Sequence, residues 1–156
     1  SSHCEQITYF ETAGTRGFVQ GEKTPKLAEK FRSFAGATFP VYHFLRFLKQ
    51  APNAKMAHFQ SSDRLKSDAV LLKNDAGMFR GILTNYTAKD IKVILQDKKA
   101  LASKVSHLVV SVEMVSAMMK DKDFVIKKSF DPITAATNGD FTFEIPAFGA
   151  VFIQNS

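Results

Sequence analysis

The sequence predicts a mainly β chain: an antiparallel β-sandwich preceded by a strand–loop–helix unit. Three observations carry this. From about residue 55 onward, apolar residues recur at every second position between closely spaced turn signals. Just before, Val41, Phe44, Leu45 and Leu48 recur at i, i+3, i+4, i+7, one apolar stripe of a helix. At the start, Ile7-Thr8-Tyr9-Phe10 is a short run rich in β-branched and aromatic residues. That run leads into Glu11-Thr12-Ala13-Gly14-Thr15-Arg16-Gly17, a loop with a carboxylate, two hydroxyls and an Arg. A strand delivering polar residues into a Gly-containing loop is how α/β enzymes present chemistry. The strand at 7–10 needs neighbours on both sides. The chain therefore reads as the C-terminal piece of a longer enzyme, cut just before one strand of its catalytic domain.

The elements follow in order. After the first strand comes a polar loop with Gly14, Gly17, Gly21 and Pro25, then a short helical turn over 26–34. The helix spans about 40–50, with Thr38 as cap and Pro40 in the first turn, and Pro52 ends it. His43 sits one residue off the apolar stripe and reads as structural. A boundary falls near residue 52, giving 1–52 as one unit and 53–156 as the sandwich. Strands are expected at 55–60, 69–73, 78–85, 91–95, 108–114, 123–130, 141–145 and 149–153. Asn74-Asp75-Ala76-Gly77 marks a hairpin turn, and Asn138-Gly139-Asp140 marks another. Phe141, Phe143, Ile145, Val151 and Ile153 are the expected core.

Composition limits the function classes. The 156 residues are 45% apolar, enough for a core. Fifteen Phe and no Trp point to Phe-rich sheet packing. The net charge of +6 comes from lysines that are scattered, so a solvated basic surface is expected and no nucleic-acid partner. No apolar run approaches the roughly 20 residues of a membrane helix, and no membrane partner is expected. Cys4 stands alone, so a secreted origin is neither required nor excluded; a cytoplasmic setting is slightly favoured. Asn85-Tyr86-Thr87 fits a glycosylation sequon of the kind that arises often by chance.

Candidate chemistry concentrates in the first loop. Glu11 would stand at the C-terminal tip of a parallel strand, where barrel enzymes place acids and bases. It could equally be a loop carboxylate paired to Arg16. Tyr9 and Phe10 point to opposite sides of the strand. Arg16 could hold an anionic group or polarise a carbonyl oxygen, or simply bind the loop together. His58 and His107 lie on expected strands without spaced partners. The sequence has no HxH, HExxH, CxxC, GxSxG or Gly-rich phosphate loop. Neither a metal nor a cofactor is expected.

The run from Ile7 to Gly17 resembles the Thr-Tyr-Phe-Glu-Thr-x-Gly-x-Arg-Gly signature of D-apionate lactonase-like proteins. Phe39-Pro40-Val41-Tyr42-His43-Phe44-Leu45 is similar to that family's Phe-Pro-Leu-Tyr-His-Val-Leu. Ser61-Ser62-Asp63-Arg64-Leu65 and Leu83-Thr84-Asn85-Tyr86-Thr87 resemble its downstream sandwich. The resemblance implies that 7–10 is the last strand of a glycosidase-like (β/α)8 barrel and 40–50 its final helix. It implies hydrolysis of a sugar lactone by the whole protein, with this chain alone inactive. Glu11 would then be catalytic, and Tyr9, Thr12 and Arg16 would contact substrate. The partners implied are a sugar or sugar-lactone substrate and the remainder of the parent barrel. Ala13 and Thr15 depart from the family pattern, where Thr and Trp stand, and the missing Trp removes a sugar-stacking surface. The alternative is a non-catalytic sandwich module for carbohydrate binding or protein interaction, which predicts exposed aromatics and no role for Glu11.

Overall fold

The computed structural model describes residues 12–14, 17–23, 33–57, 60–96 and 104–155. The strand expected at 7–10, most of the helical turn at 26–34, and His58 lie outside these residues. The elements run α1 (Pro40–Leu48), β1 (Lys55–Met56), β2 (Ser67–Lys73), β3 (Phe79–Asn85), β4 (Ile91–Leu95) and β5 (Lys104–Val110). A 3-10 turn at Val112–Met114 leads into α2 (Val115–Lys120), α3 (Phe124–Lys127), β6 (Asp131–Thr134), β7 (Phe141–Ile145) and β8 (Ala150–Asn155).

Six strands form one sheet in the order β1-β2-β3-β8-β5-β6, and β4 pairs with β7 in a second. Every pairing between named strands is antiparallel. The expected sandwich is therefore present. The hairpin β2–β3 closes at Asn74, whose Oδ1 accepts the Met78 amide at 2.9 Å. Gly77 takes the left-handed conformation there, with φ of 82°.

The space between the sheets is the first core. β7 alternates strictly, with Phe141, Phe143 and Ile145 buried and Thr142 and Glu144 exposed. Ile91, Val93 and Leu95 of β4 face the same way. Leu71, Phe79, Leu83, Val105, Val151 and Ile153 meet them from the large sheet. Gly81 lies among these residues because a Cβ there would collide with Leu71 Cδ2 and approach Ile153 Cγ1 to 2.9 Å.

The opposite face of the large sheet carries a second core. Ile82, Phe152, Leu108 and Val110 pack there against Phe44 and Phe47 of α1, Met118 of α2 and Val125 of α3. Phe47 meets Phe152 edge-to-face at 5.1 Å between ring centroids.

Four expectations need correction on this face. The strand expected at 108–114 ends at Val110, and Val112–Met114 is a 3-10 turn. The segment 123–130 holds helix α3 rather than a strand. Asp121 Oδ1 accepts the Asp123 amide at 2.8 Å and starts that turn, and Val125 reaches the core. β6 was not expected; Pro132 is tolerated in it because β6 is an edge strand paired only with β5. Thr38 does not cap α1. Phe39 holds the cap position, and the Thr38 hydroxyl is used elsewhere.

Candidate functional site

The loop named by the sequence folds through its backbone. The Thr12 carbonyl accepts the amides of Phe18 at 3.0 Å and Val19 at 3.4 Å. Gly17 is buried against that carbonyl, where a Cβ would come within 2.6 Å of Thr12 O. Val19 then bridges to Ala13 on one side and Thr38 on the other. The Gln20 amide donates to Ala37 O at 2.6 Å, and Phe39 N donates to Phe18 O at 2.9 Å. The loop is thus tied to the start of α1. Of the four residues expected in the site, only Thr12 is described; its side chain is exposed. Tyr9, Glu11 and Arg16 lie outside the described residues.

The same ties extend to α2 through a buried polar cluster. Thr38 and His43 are both buried, at 6% and 2% exposure. The Thr38 hydroxyl donates to the Met118 carbonyl at 2.9 Å, and His43 Nε2 donates to the same carbonyl at 2.8 Å. A carbonyl only accepts, so His43 carries its proton on Nε2. Burial pushes the imidazole pKa down, reinforced by Arg46 and opposed by the Met118 carbonyl, Asp121 and Asp123. A neutral ring with its N–H committed to a carbonyl holds structure and does not transfer protons. His43 is structural, as its place off the expected stripe implied. It lies inside the packed face of α1, though: the buried positions are His43 and Phe47, while Leu45 is 41% exposed.

Outside this cluster lies a charged rim. Arg46 pairs with Asp123, donates to Lys122 O at 2.7 Å and reaches the Tyr42 hydroxyl at 3.2 Å. Lys127 pairs with Asp121 at 3.1 Å. The Asp123 amide and Lys127 together hold the Asp121 carboxyl below its ordinary pKa. Tyr42 lies between two open clefts. One, of about 590 Å³, is lined by Phe18, Leu45, Arg46, Lys49 and Gln50. The other, of about 550 Å³, includes Val19, Thr38, Met119 and Asp121. Sequence reading missed Tyr42 as a cleft residue; its place in the second family motif was the available signal.

Two further sequence candidates resolve as structural. Asn85 is 2% exposed, and its Nδ2 donates to the carbonyls of Lys89, Ile145 and Pro146 at 2.8–3.1 Å. The nitrogen that a glycan would need is thus committed, and the sequon is a packing motif. His107 Nδ1 donates to Asp131 O at 2.8 Å and ties β5 to the edge strand β6. Among the described residues, no group of three or more His, Cys, Asp or Glu could hold a metal ion. No described helix is long and apolar enough to cross a membrane.

No protein-family model matches this sequence, and no curated protein sequence does either. Solved structures do share its fold. A GH30 endoxylanase from Clostridium papyrosolvens aligns over 73% of this chain at TM-score 0.51 and 16% identity. The catalytic domain of GH30 xylanase C from Talaromyces cellulolyticus aligns over 80% at TM-score 0.50 and 18% identity. The GH51 arabinofuranosidase from Xanthomonas axonopodis aligns over 77% at TM-score 0.50 and 14% identity. The chain spans about a quarter of the length of each, at 26%, 25% and 27%. The fold of this chain is therefore one found within glycoside hydrolases.

Proposed function

We propose that this chain is the C-terminal portion of a carbohydrate-active hydrolase that opens a sugar lactone of the D-apionate type. The observation that carries the reading is the fold shared with part of a GH30 endoxylanase over 73% of the chain. The motif from Ile7 to Gly17 adds the lactonase direction. In this reading residues 1–52 supply the last βα unit of a (β/α)8 barrel, and 53–156 the sandwich behind it. Glu11 acts as acid or base on water or a sugar oxygen, and Arg16 steadies the negative charge that develops. Tyr9 and Thr12 contact substrate hydroxyls. The test is Glu11→Gln in the full-length enzyme, which keeps the shape and removes the charge. Turnover of a sugar lactone should fall about 10²–10⁴-fold. Stability should change by no more than about 1 kcal/mol. Unchanged kcat would remove Glu11 from the chemistry.

One observation favours a second reading, a carbohydrate-binding accessory sandwich. Tyr86 and Phe148 are 52% and 61% exposed, and their loops are joined by the Phe148 amide donating to Thr87 O at 3.0 Å. Phe148 also has φ of 52°, a strained conformation for a bulky side chain. Phe148→Gly relieves that strain and removes the ring. It should raise stability and, on this reading, weaken retention on insoluble xylan. Retention equal to wild type would discard the module reading.

A further inference from the structure

The helices cover only part of the outer face of the large sheet. Cross-strand register places Ile82, Phe152 and Leu108 in one row beneath them. The middle of the next row on that face is polar: Arg80 stands opposite Gln154, and Gln154 opposite Ser106, with Leu72 on the far side of Arg80. Phe47 marks the boundary, with the Arg80 guanidinium carbon 4.6 Å from its ring centroid.

Among the described arginines, Arg80 differs from Arg46, which is also half-buried. Arg46 has Asp123, a backbone carbonyl and a tyrosine hydroxyl around it. Among the described residues Arg80 forms no ion pair, and its Nε is buried with no hydrogen-bond partner. Burial lowers its pKa, and no neighbouring carboxylate opposes that shift. A cation withdrawn from water without a counter-ion is unfavourable, and a ring contact offsets only part of the loss. The group borders an open cleft of about 370 Å³ with Gln154, Asn155 and Gly77. One wall of that cleft is fixed, because Asn155 Nδ2 donates to Gly77 O at 2.9 Å and its Oδ1 accepts the Phe79 amide.

We propose that Arg80 and Gln154 form a binding site for a carboxylate at the uncovered end of the sheet's helix side. The guanidinium supplies two parallel N–H donors that match a carboxylate, and the Gln154 amide supplies a third. The Phe47 ring backs the guanidinium and limits where the side chain can swing. The site uses no residue of the loop at 12–23, and it stands independently of the lactonase reading. The carboxylate can belong to a sugar acid in solution or to an acidic side chain of a polypeptide.

The experiment follows the side-chain N–H signals of Arg80 and Gln154 by NMR in the 156-residue chain. Four titrants are compared: sodium glucuronate, a blocked Gly-Glu-Gly peptide, glucose, and sodium chloride at matched ionic strength. Both signals should move saturably with a carboxylate, with a midpoint of about 1–10 mM, in the affinity range of a single bidentate contact. Glucose and chloride should leave them in place. A response to glucuronate alone identifies a sugar acid, and an equal response to the peptide extends the site to acidic side chains. Arg80→Lys keeps the charge but loses the fork and should weaken binding roughly tenfold. Gln154→Leu, outside the packed core, should weaken it about fivefold and tests the site if Arg80 variants fail to fold. Movement that chloride reproduces, or binding unchanged in both variants, would overturn the proposal.

Discussion

The two faces of the six-stranded sheet are closed in different ways. The inner face meets another sheet, and both partners obey a period of two. Its centre is apolar, with Phe141 and Phe143 stacked at 6.5 Å and Ile145, Val151 and Ile153 fully buried, and its polar groups stand at the margin: Asn85 on the Ile145 and Pro146 carbonyls, and His107 against the Phe143 ring. The outer face meets three short helices drawn from two distant segments. Its apolar core is bordered by polar groups: Thr38 and His43 on the Met118 carbonyl, and Arg80 against Phe47. A face closed by a sheet is specified strand by strand, because alternation assigns every side chain. A face closed by helices is specified by tertiary fit, because strand alternation says nothing about which helix residues will meet it.

The sharpest way to break this contrast is to cut into the inner core. Phe141→Ala should cost about 3–5 kcal/mol, since ring and cavity terms add where no loop can collapse. The measurement is urea unfolding with the slope held constant. A loss under about 1 kcal/mol would mean that the two sheets are not packed as one core.

The difference also explains what the sequence disclosed. β4 and β7 are found at the residues the alternation marked, because each strand's own pattern matches a sheet partner. α2 and α3 were not legible. Their segments are four to six residues long, too short for a 3.6 period to stand out, and α3 reaches the core through Val125 and the partly buried Phe124. The stripe of α1 was placed at Val41, Phe44, Leu45 and Leu48, yet the helix buries His43 and Phe47. A histidine satisfied by Met118 O behaves as core, and hydrophobicity alone gives no sign of that. Arg80 was invisible for the same reason: its register against Gln154 and its contact with Phe47 exist only in the folded sheet. Of the candidate site, the loop's attachment to α1 depends on backbone bonds at Thr12 and Phe18, which no side-chain pattern announces.

A smaller effect probes how tightly the inner face is fitted. Gly81→Ala adds one methyl between Leu71 and Ile153. Overpacking of this kind costs about 1–3 kcal/mol. Leu71→Ala should create room, so the double variant should be more stable than the sum of the two losses, with a coupling of about 0.5–3 kcal/mol. Additive losses in the same unfolding series would mean that Gly81 is not held by those neighbours.

The outer face gives the smallest effect and the only one that depends on pH. His43 is buried neutral, and its folded pKa lies below the ordinary 6.5. The unfolded chain therefore binds the proton more readily than the folded one. Stability contributed by the neutral ring is fully present above about pH 6.5, declines as pH falls below it, and levels off beneath the folded pKa. Asp121 and Asp123 favour the charged ring and Arg46 disfavours it, but burial is the largest influence. His43→Gln places a neutral donor at similar reach and cannot titrate. At pH 8 it should be less stable than wild type by about 1 kcal/mol, the worth of a well-placed hydrogen bond. The gap should narrow between pH 7 and pH 5, because only wild type loses stability there on account of residue 43. Asp121, whose carboxyl is held below its ordinary 3.8 by the Asp123 amide and Lys127, titrates beneath this pH range and does not shape the gap. A gap that stays constant across that range would mean that His43 does not change its charge on unfolding. A gap that widens would mean that the folded protein carries the imidazolium, with Asp121 and Asp123 outweighing burial.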